Sequence, residues 1–280
     1  MRRRVARRRR RPLSGTDGRA RRAPAIDTLT AVRAGTPRPA AVLVILLIAV
    51  TLAACGKLER PSVGAPAPPP TTTTTAVPFR VVAEVHPDVK SIAVYDAPDA
   101  SAPKLQLSNP TADDVVRVLL VDHGQGTDWL KVDLPVRPNG STGFIKSSDV
   151  DLKEDYWRIS VELGARRITV WNGDHVVHTE PVGVGAAASP TPPGEYFITE
   201  ALTVPSFQRS AYGPYAFGTS AHSDVYTTFG AGDGTVGIHG TGDPSSLGKD
   251  VSHGCIRLSN DGITSLIHQV PLGTPVEILA

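Results

Sequence analysis

Ser252-His253-Gly254-Cys255-Ile256-Arg257-Leu258, with Ile238-His239-Gly240 shortly before it, is the stretch on which the reading of this 280-residue chain turns. It places one of only two cysteines between a glycine and an apolar residue, with two histidines close by in sequence. A free thiol titrates near pKa ~8.5 and is a weak nucleophile until a neighbouring base takes its proton. His253 lies two residues before Cys255, so in extended backbone the two side chains share a face. His239 closes the apolar run Val236-Gly237-Ile238, which places it near a strand end, within reach of a nucleophile on the next segment. Gly254 allows close approach of a substrate, and the amides of Gly254 and Cys255 are candidate donors to an oxyanion. The pattern reads as acyl transfer through a thioester. Spacing alone does not choose the base, and sequence proximity favours His253.

These residues resemble the signature of the L,D-transpeptidases, whose catalytic domain is called YkuD-like: a His-Gly, a loop, then Ser/Thr-His-Gly-Cys with an apolar residue and Asn or Arg. A second match is Thr191-Pro192-Pro193-Gly194-Glu195-Tyr196, similar to the family's Thr-Pro-x-Gly-x-Phe/Tyr turn into a strand. The resemblance spans residues 156–279. The loop between His239 and Ser252 is shorter than in the most quoted form, and Arg257 stands where some members have Asn; both bear on the shape of the substrate groove. The resemblance implies a β-sandwich with a small helix and a peptidoglycan stem tetrapeptide as substrate. It makes Cys255 the nucleophile and His239 the base, with the carbonyl of Gly240 orienting its ring, His253 supporting the site and Gly254 beside the oxyanion. Ser252 and Arg257 would shape the site or bind substrate, and Tyr212 and Tyr226 would line the substrate paths. The product would be a 3→3 crosslink, and carbapenems would acylate Cys255.

Two other readings of Cys255 were weighed. Cysteine is among the most buried residue types, so an inert core thiol is the ordinary expectation for a lone one; the paired histidines oppose it. A structural zinc site needs four ligands, commonly paired at short spacing, and no second pair accompanies these. His175 and His178, three apart in an expected strand, should face opposite ways. Neither metal nor cofactor is expected. Among functions, an L,D-carboxypeptidase would use water in place of the acceptor amine. A non-catalytic, lipid-anchored wall-binding protein would not need Cys255 and His239. A papain-like hydrolase places Cys before its His, whereas only His268 follows Cys255 here.

The net charge of +2 hides an asymmetry: residues 1–54 hold 13 Lys/Arg against 2 Asp/Glu. Such a basic arm is compatible with nucleic acid, but it leads into the apolar run 40–52, the plan of a secretory signal, so no nucleic-acid partner is expected. That run is shorter than the ~20 residues of a comfortable bilayer span. It ends in Leu52-Ala53-Ala54-Cys55, which resembles a bacterial lipobox, making Cys55 the lipidated residue and the outer face of the membrane the location. The basic region is long, and translation starting nearer Val32 would shorten it. With Cys55 on lipid and Cys255 in catalysis, no disulfide is expected.

Residues 55–78 are Pro-, Ala- and Thr-rich, too poor in apolar surface to fold, and read as a tether. Residues 79–152 alternate apolar and polar in short runs split by Pro, Gly and Asn, the pattern of a small β-barrel. Trp129-Leu130-Lys131-Val132 and Gly143-Phe144-Ile145 resemble the end of bacterial SH3-like domains, which would make this segment a wall-binding or groove-shaping module, or a folded spacer. Residues 156–279 are expected to be mostly β, with a type I′ hairpin at Asn172-Gly173 and a helix over 261–269. Residues 202–234, polar and aromatic, read as a long loop, which the resemblance implies is a flap over the cysteine.

Overall fold

Burial alternates residue by residue along Ser91–Val94, Trp129–Asp133 and Thr142–Lys146, which is what half-buried antiparallel pairs require. In the computed structural model, which describes residues 79–280 except 126–127 and 229–231, the first strands are β1 (Arg80–Val85), β2 (Ser91–Val94), β3 (Leu105–Ser108), β4 (Val118–Gln125), β5 (Trp129–Asp133), β6 (Thr142–Lys146) and β7 (Val150–Asp155). Five of them form an antiparallel sheet in the order β6-β5-β4-β1-β7. The β2–β3 hairpin joins it through a bridge between Tyr95 and Phe144. Ala83, Ile92, Leu119, Leu130 and Ile145 are fully buried at its centre.

Ten further strands follow: β8 (Trp157–Glu162), β9 (Arg167–Asn172), β10 (His175–Pro181), β11 (Val184–Gly185), β12 (Gly194–Thr203), β13 (Tyr215–His222), β14 (Thr235–His239), β15 (Asp250–Ser252), β16 (Ile256–Arg257) and β17 (Pro275–Leu279). Two short helices accompany them, α1 (Arg209–Tyr212) and α2 (Asn260–Leu266). A curled eight-stranded sheet runs β10-β9-β8-β17-β12-β13-β14-β16, parallel only at β8–β17 and β14–β16. β11 and β15 pair as a separate parallel ribbon. The inner face buries Ile159, Val170, Ile198, Ile238 and Ile256 against Ile263 and Leu266 of α2. Ser259 caps that helix, its Oγ accepting from the Gly262 amide at 2.9 Å, and Asp261 in the first turn suits the helix dipole. The expected mostly-β fold with a short helix is the one observed.

The strand β12 has a core on each face. Tyr196 and Ile198 enter the core of the eight-stranded sheet, while Phe197, 0 % exposed, enters the cluster of the five-stranded sheet beside Val82 and Leu120. The described residues from 79 to 280 accordingly belong to one compact unit.

Three local expectations are corrected. The β9–β10 register pairs Asn172 with His175, so the turn residues are Gly173 and Asp174. Only Gly173 has positive φ (59°), the II′ pattern rather than I′. A bulge at Val177 then shifts the register, pairing His178 with Val170, two residues from Asn172, so His175 and His178 share a face. Nor are residues 202–234 one continuous loop: α1 and β13 interrupt the stretch, with Phe217 in the core. The β13 run Phe-Gly-Thr-Ser-Ala is too small and polar to read as a strand, yet it is buried between β12 and β14. The signal region, Cys55 and the tether lie outside the described residues. Among the described residues no helix is long and apolar enough to cross a membrane.

Candidate active site

The parallel pair β14–β16 builds the site. Ile238 lies opposite Ile256 and His239 opposite Arg257. Both isoleucines are buried in the core, so His239 and Arg257, and Cys255 immediately before β16, fall on the opposite face. The Gly237 amide donates to Cys255 Sγ at 3.5 Å, tying the sulfur to the strand that carries His239. Register thus converges a histidine and a cysteine sixteen positions apart in sequence.

His239 is 4 % exposed, and its Nδ1 lies 2.6 Å from the carbonyl oxygen of Gly240. A carbonyl only accepts, so Nδ1 carries the proton and the lone pair resides on Nε2. Burial above all, with the positive charge of Arg257 adding to it, holds the His239 pKa down to about 4 against the opposing Gly240 hydrogen bond. Burial pushes the Cys255 thiol up, partly offset by the Gly237 amide and by Arg257. Thiol and imidazole therefore rest as a neutral pair at neutral pH, with Nε2 the ring atom able to accept a proton. The Tyr212 ring stands edge-on to His239, centroids 4.9 Å apart. Its hydroxyl is held above the usual tyrosine range by burial and by the nearby Cys255.

The β15–β16 connection carries the nucleophile. Ser252, buried, donates from Oγ to the Cys255 carbonyl at 2.6 Å and accepts from the Gly254 amide at 3.1 Å. Ser252 is thus tied into the loop's own hydrogen bonds, which fits the expected shaping role, and the Gly254 amide is occupied, leaving the Cys255 amide as the candidate oxyanion donor of that pair. Gly254 is required instead for its φ of +119°. Its carbonyl accepts from Thr191 Oγ1 at 2.8 Å, and the same oxygen accepts from the Gly185 amide at 2.9 Å. Thr191, which opens the Thr-Pro-Pro-Gly turn legible as a motif, is therefore a buried strut under the Cys255 loop, a role the sequence did not disclose. Asn260 was also missed: its Oδ1 accepts from the Thr241 amide at 3.0 Å and packs against Gly240, fixing the turn that follows His239.

The remaining site residues gather around the sulfur. Tyr226 stacks edge-on to His253, centroids 5.8 Å apart, and both line a narrow pocket with Cys255. Arg257 is half-buried and its Nε is buried without a partner, while its charge acts on His239, Cys255 and Tyr212. His175 and His178 lie on β10, and His178 Nε2 instead meets Glu180 Oε1 at 3.1 Å. Among the described residues no group of three or more His, Cys, Asp or Glu is placed to hold a metal ion.

Comparison with known proteins agrees with this geometry over one part of the chain. Residues 156–278 match the family model YkuD, described as an L,D-transpeptidase catalytic domain. YkuD of Bacillus subtilis is 37% identical over 123 residues, 44% of this chain and 65% of that protein. YbiS of Escherichia coli is 48% identical over 42 residues, 15% of this chain and 14% of that protein. The solved structure of Bdellovibrio bacteriovorus Bd1075 is 26% identical, covering 45% of this chain and 48% of that one, with a TM-score of 0.36. The chain thus spans 65% of the length of the first of these relatives, and less of the others. Over residues 156–278, which hold His239, His253 and Cys255, the chain is thus similar to the YkuD-type L,D-transpeptidase catalytic domain.

Proposed function

We propose that this chain is a peptidoglycan L,D-transpeptidase that forms 3→3 crosslinks through a Cys255 thioester. The observation that carries the reading is the pair on β14 and β16: His239, its tautomer set by the Gly240 carbonyl, on the same face as Cys255. The thiol proton passes to His239 Nε2 as Sγ attacks the carbonyl carbon of the L-centre in the donor tetrapeptide. The oxyanion accepts from the Cys255 amide, and such donors contribute about 3–4 kcal/mol in comparable sites. Collapse breaks the amide bond, His239 returns its proton to the leaving amine, and D-alanine departs. The amine of a second stem, losing a proton to His239, then attacks the thioester, forming the crosslink and regenerating the thiol. His253 and Tyr226 wall the site, and Arg257 faces it as the positive group available to a substrate carboxylate.

The rest of the chain fits an enzyme acting on a polymer outside the membrane. We propose that Cys55 is lipidated, that 55–78 is a tether, that 79–152 is an SH3-like module and that 156–279 is the catalytic domain. Incubation with disaccharide-tetrapeptide and mass spectrometry of the products tests the activity. A dimer lacking one D-alanine supports transpeptidation, and a tripeptide monomer alone assigns the site to L,D-carboxypeptidation.

A further inference from the structure

One loop of the five-stranded sheet reaches the wall of the cysteine pocket. Residues 136–140, between β5 and β6, carry Arg137 and Asn139. Arg137 donates from Nη1 to the Ser223 carbonyl at 2.7 Å, and from Nη2 to the carbonyls of Tyr226 at 2.8 Å and Asp233 at 3.1 Å. Asn139 donates from Nδ2 to the His222 carbonyl and accepts from the His222 amide at Oδ1, both at 2.8 Å. Every one of these partners belongs to the end of β13 or to the connection from β13 to β14.

That connection leaves β13 through Ser223 and Tyr226 and returns through Asp233 and Gly234. The guanidinium grips both arms, and the Ser223 amide closes them by donating to the Gly234 carbonyl at 2.9 Å. Ser223 Oγ accepts from the amides of Val225 and Tyr226, turning the chain so that Tyr226 lies against His253. Gly234 has φ +83°, and a Cβ there would collide with the Tyr226 carbonyl and crowd Arg137. Ser223, Tyr226 and Gly234 line the same pocket as Cys255. A planar fork with five donors suits three carbonyls on two arms, whereas an ammonium has no such fixed geometry.

We propose that the 136–140 loop is a working part of the catalytic groove, and that Arg137 and Asn139 are positioning residues that hold the two arms beside β13 and β14, residues 222–226 and 233–234, in their substrate-binding shape. The amino-terminal module is then no spacer: without it the wall bearing Tyr226 lacks its outer support. A loop that must be ordered by the substrate itself weakens binding, so the cost falls on KM more than on kcat.

The assignment of substrate rests on the transpeptidase reading, so the test has one arm that does not depend on it. Arg137→Ala and Asn139→Ala are compared with wild type by amide hydrogen exchange. Exchange should quicken about tenfold or more at 222–226 and 233–235 and stay unchanged in β4 and β9. With stem tetrapeptide, KM should rise about tenfold and kcat should stay within about threefold. Arg137→Lys should restore part of the loss, and the melting temperature should be little changed. Exchange and KM both unchanged would overturn the proposal. So would faster exchange throughout the chain with a lowered melting temperature, the signature of a merely structural role. If the wild type fails to turn over the stem peptide, the transpeptidase reading fails, while the exchange data still decide whether the clamp exists.

Discussion

At the scale of single residues, the proposed chemistry rests on a neutral thiol–imidazole pair, Cys255 and His239, with the ring's tautomer set by one carbonyl. Cys255→Ala should abolish turnover while leaving the fold intact, checked by product assay and circular dichroism. His239→Ala should lower kcat by about a thousandfold or more, since proton transfer is lost from both half-reactions. His253→Ala should cost less, because that ring walls the pocket beside Tyr226. His239 also couples pH to stability. Its folded pKa, about 4, lies below its ordinary value of 6.5, so as pH falls the unfolded chain takes up the proton first. The stability present above pH 6.5 should therefore fall by about 3 kcal/mol as pH drops through 4, a fall that His239→Gln removes from the denaturant profile. The ambiguity between His239 and His253 was real in the sequence. Proximity along the chain favoured His253, and the register of β14 against β16 is a long-range fact that no local spacing encodes.

At the scale of elements, the nucleophile loop is held by small buried polar groups. Thr191 donates to Gly254 and accepts from Gly185, so Thr191→Val would leave two buried backbone groups unpaired. We expect a loss of about 1–3 kcal/mol of stability by chemical denaturation and a fall in kcat as Gly254 shifts. Much of this level was legible: the strand closed by His239, the helix near Asp261 and the Thr-Pro-Pro-Gly turn all stand where the sequence put them. What was missed has local physical causes. The β9–β10 turn moved by one residue because Asn172 pairs with His175, and the Val177 bulge turned His178 to the face of His175. The strand β13 was hidden by its glycine, threonine and serine, which are buried through backbone pairing on both sides rather than through apolar side chains. Arg137 gave no signal, since a lone arginine in a Pro-Asn-Gly loop reads as a solvated turn.

At the scale of the whole molecule, Phe197 joins two hydrophobic clusters through one strand. Phe197→Ala should cost about 3–5 kcal/mol, as for other large buried aromatics, and lower the melting temperature of the described body as a unit. Two separate transitions, with only the first sheet affected, would show the modules to be independent. The proposed lipid anchor predicts that Cys55→Ala moves the protein from the membrane to the soluble fraction; continued sedimentation with membranes would place the anchor elsewhere. The central claim, a thioester at Cys255, is tested most directly by rapid quenching of the enzyme with donor tetrapeptide, followed by intact-mass analysis and peptide mapping. The account predicts one adduct, of donor mass less D-alanine, on the peptide containing Cys255, and no adduct on Cys255→Ala. Crosslinked product formed without that adduct, or an adduct that survives loss of Cys255, would contradict it.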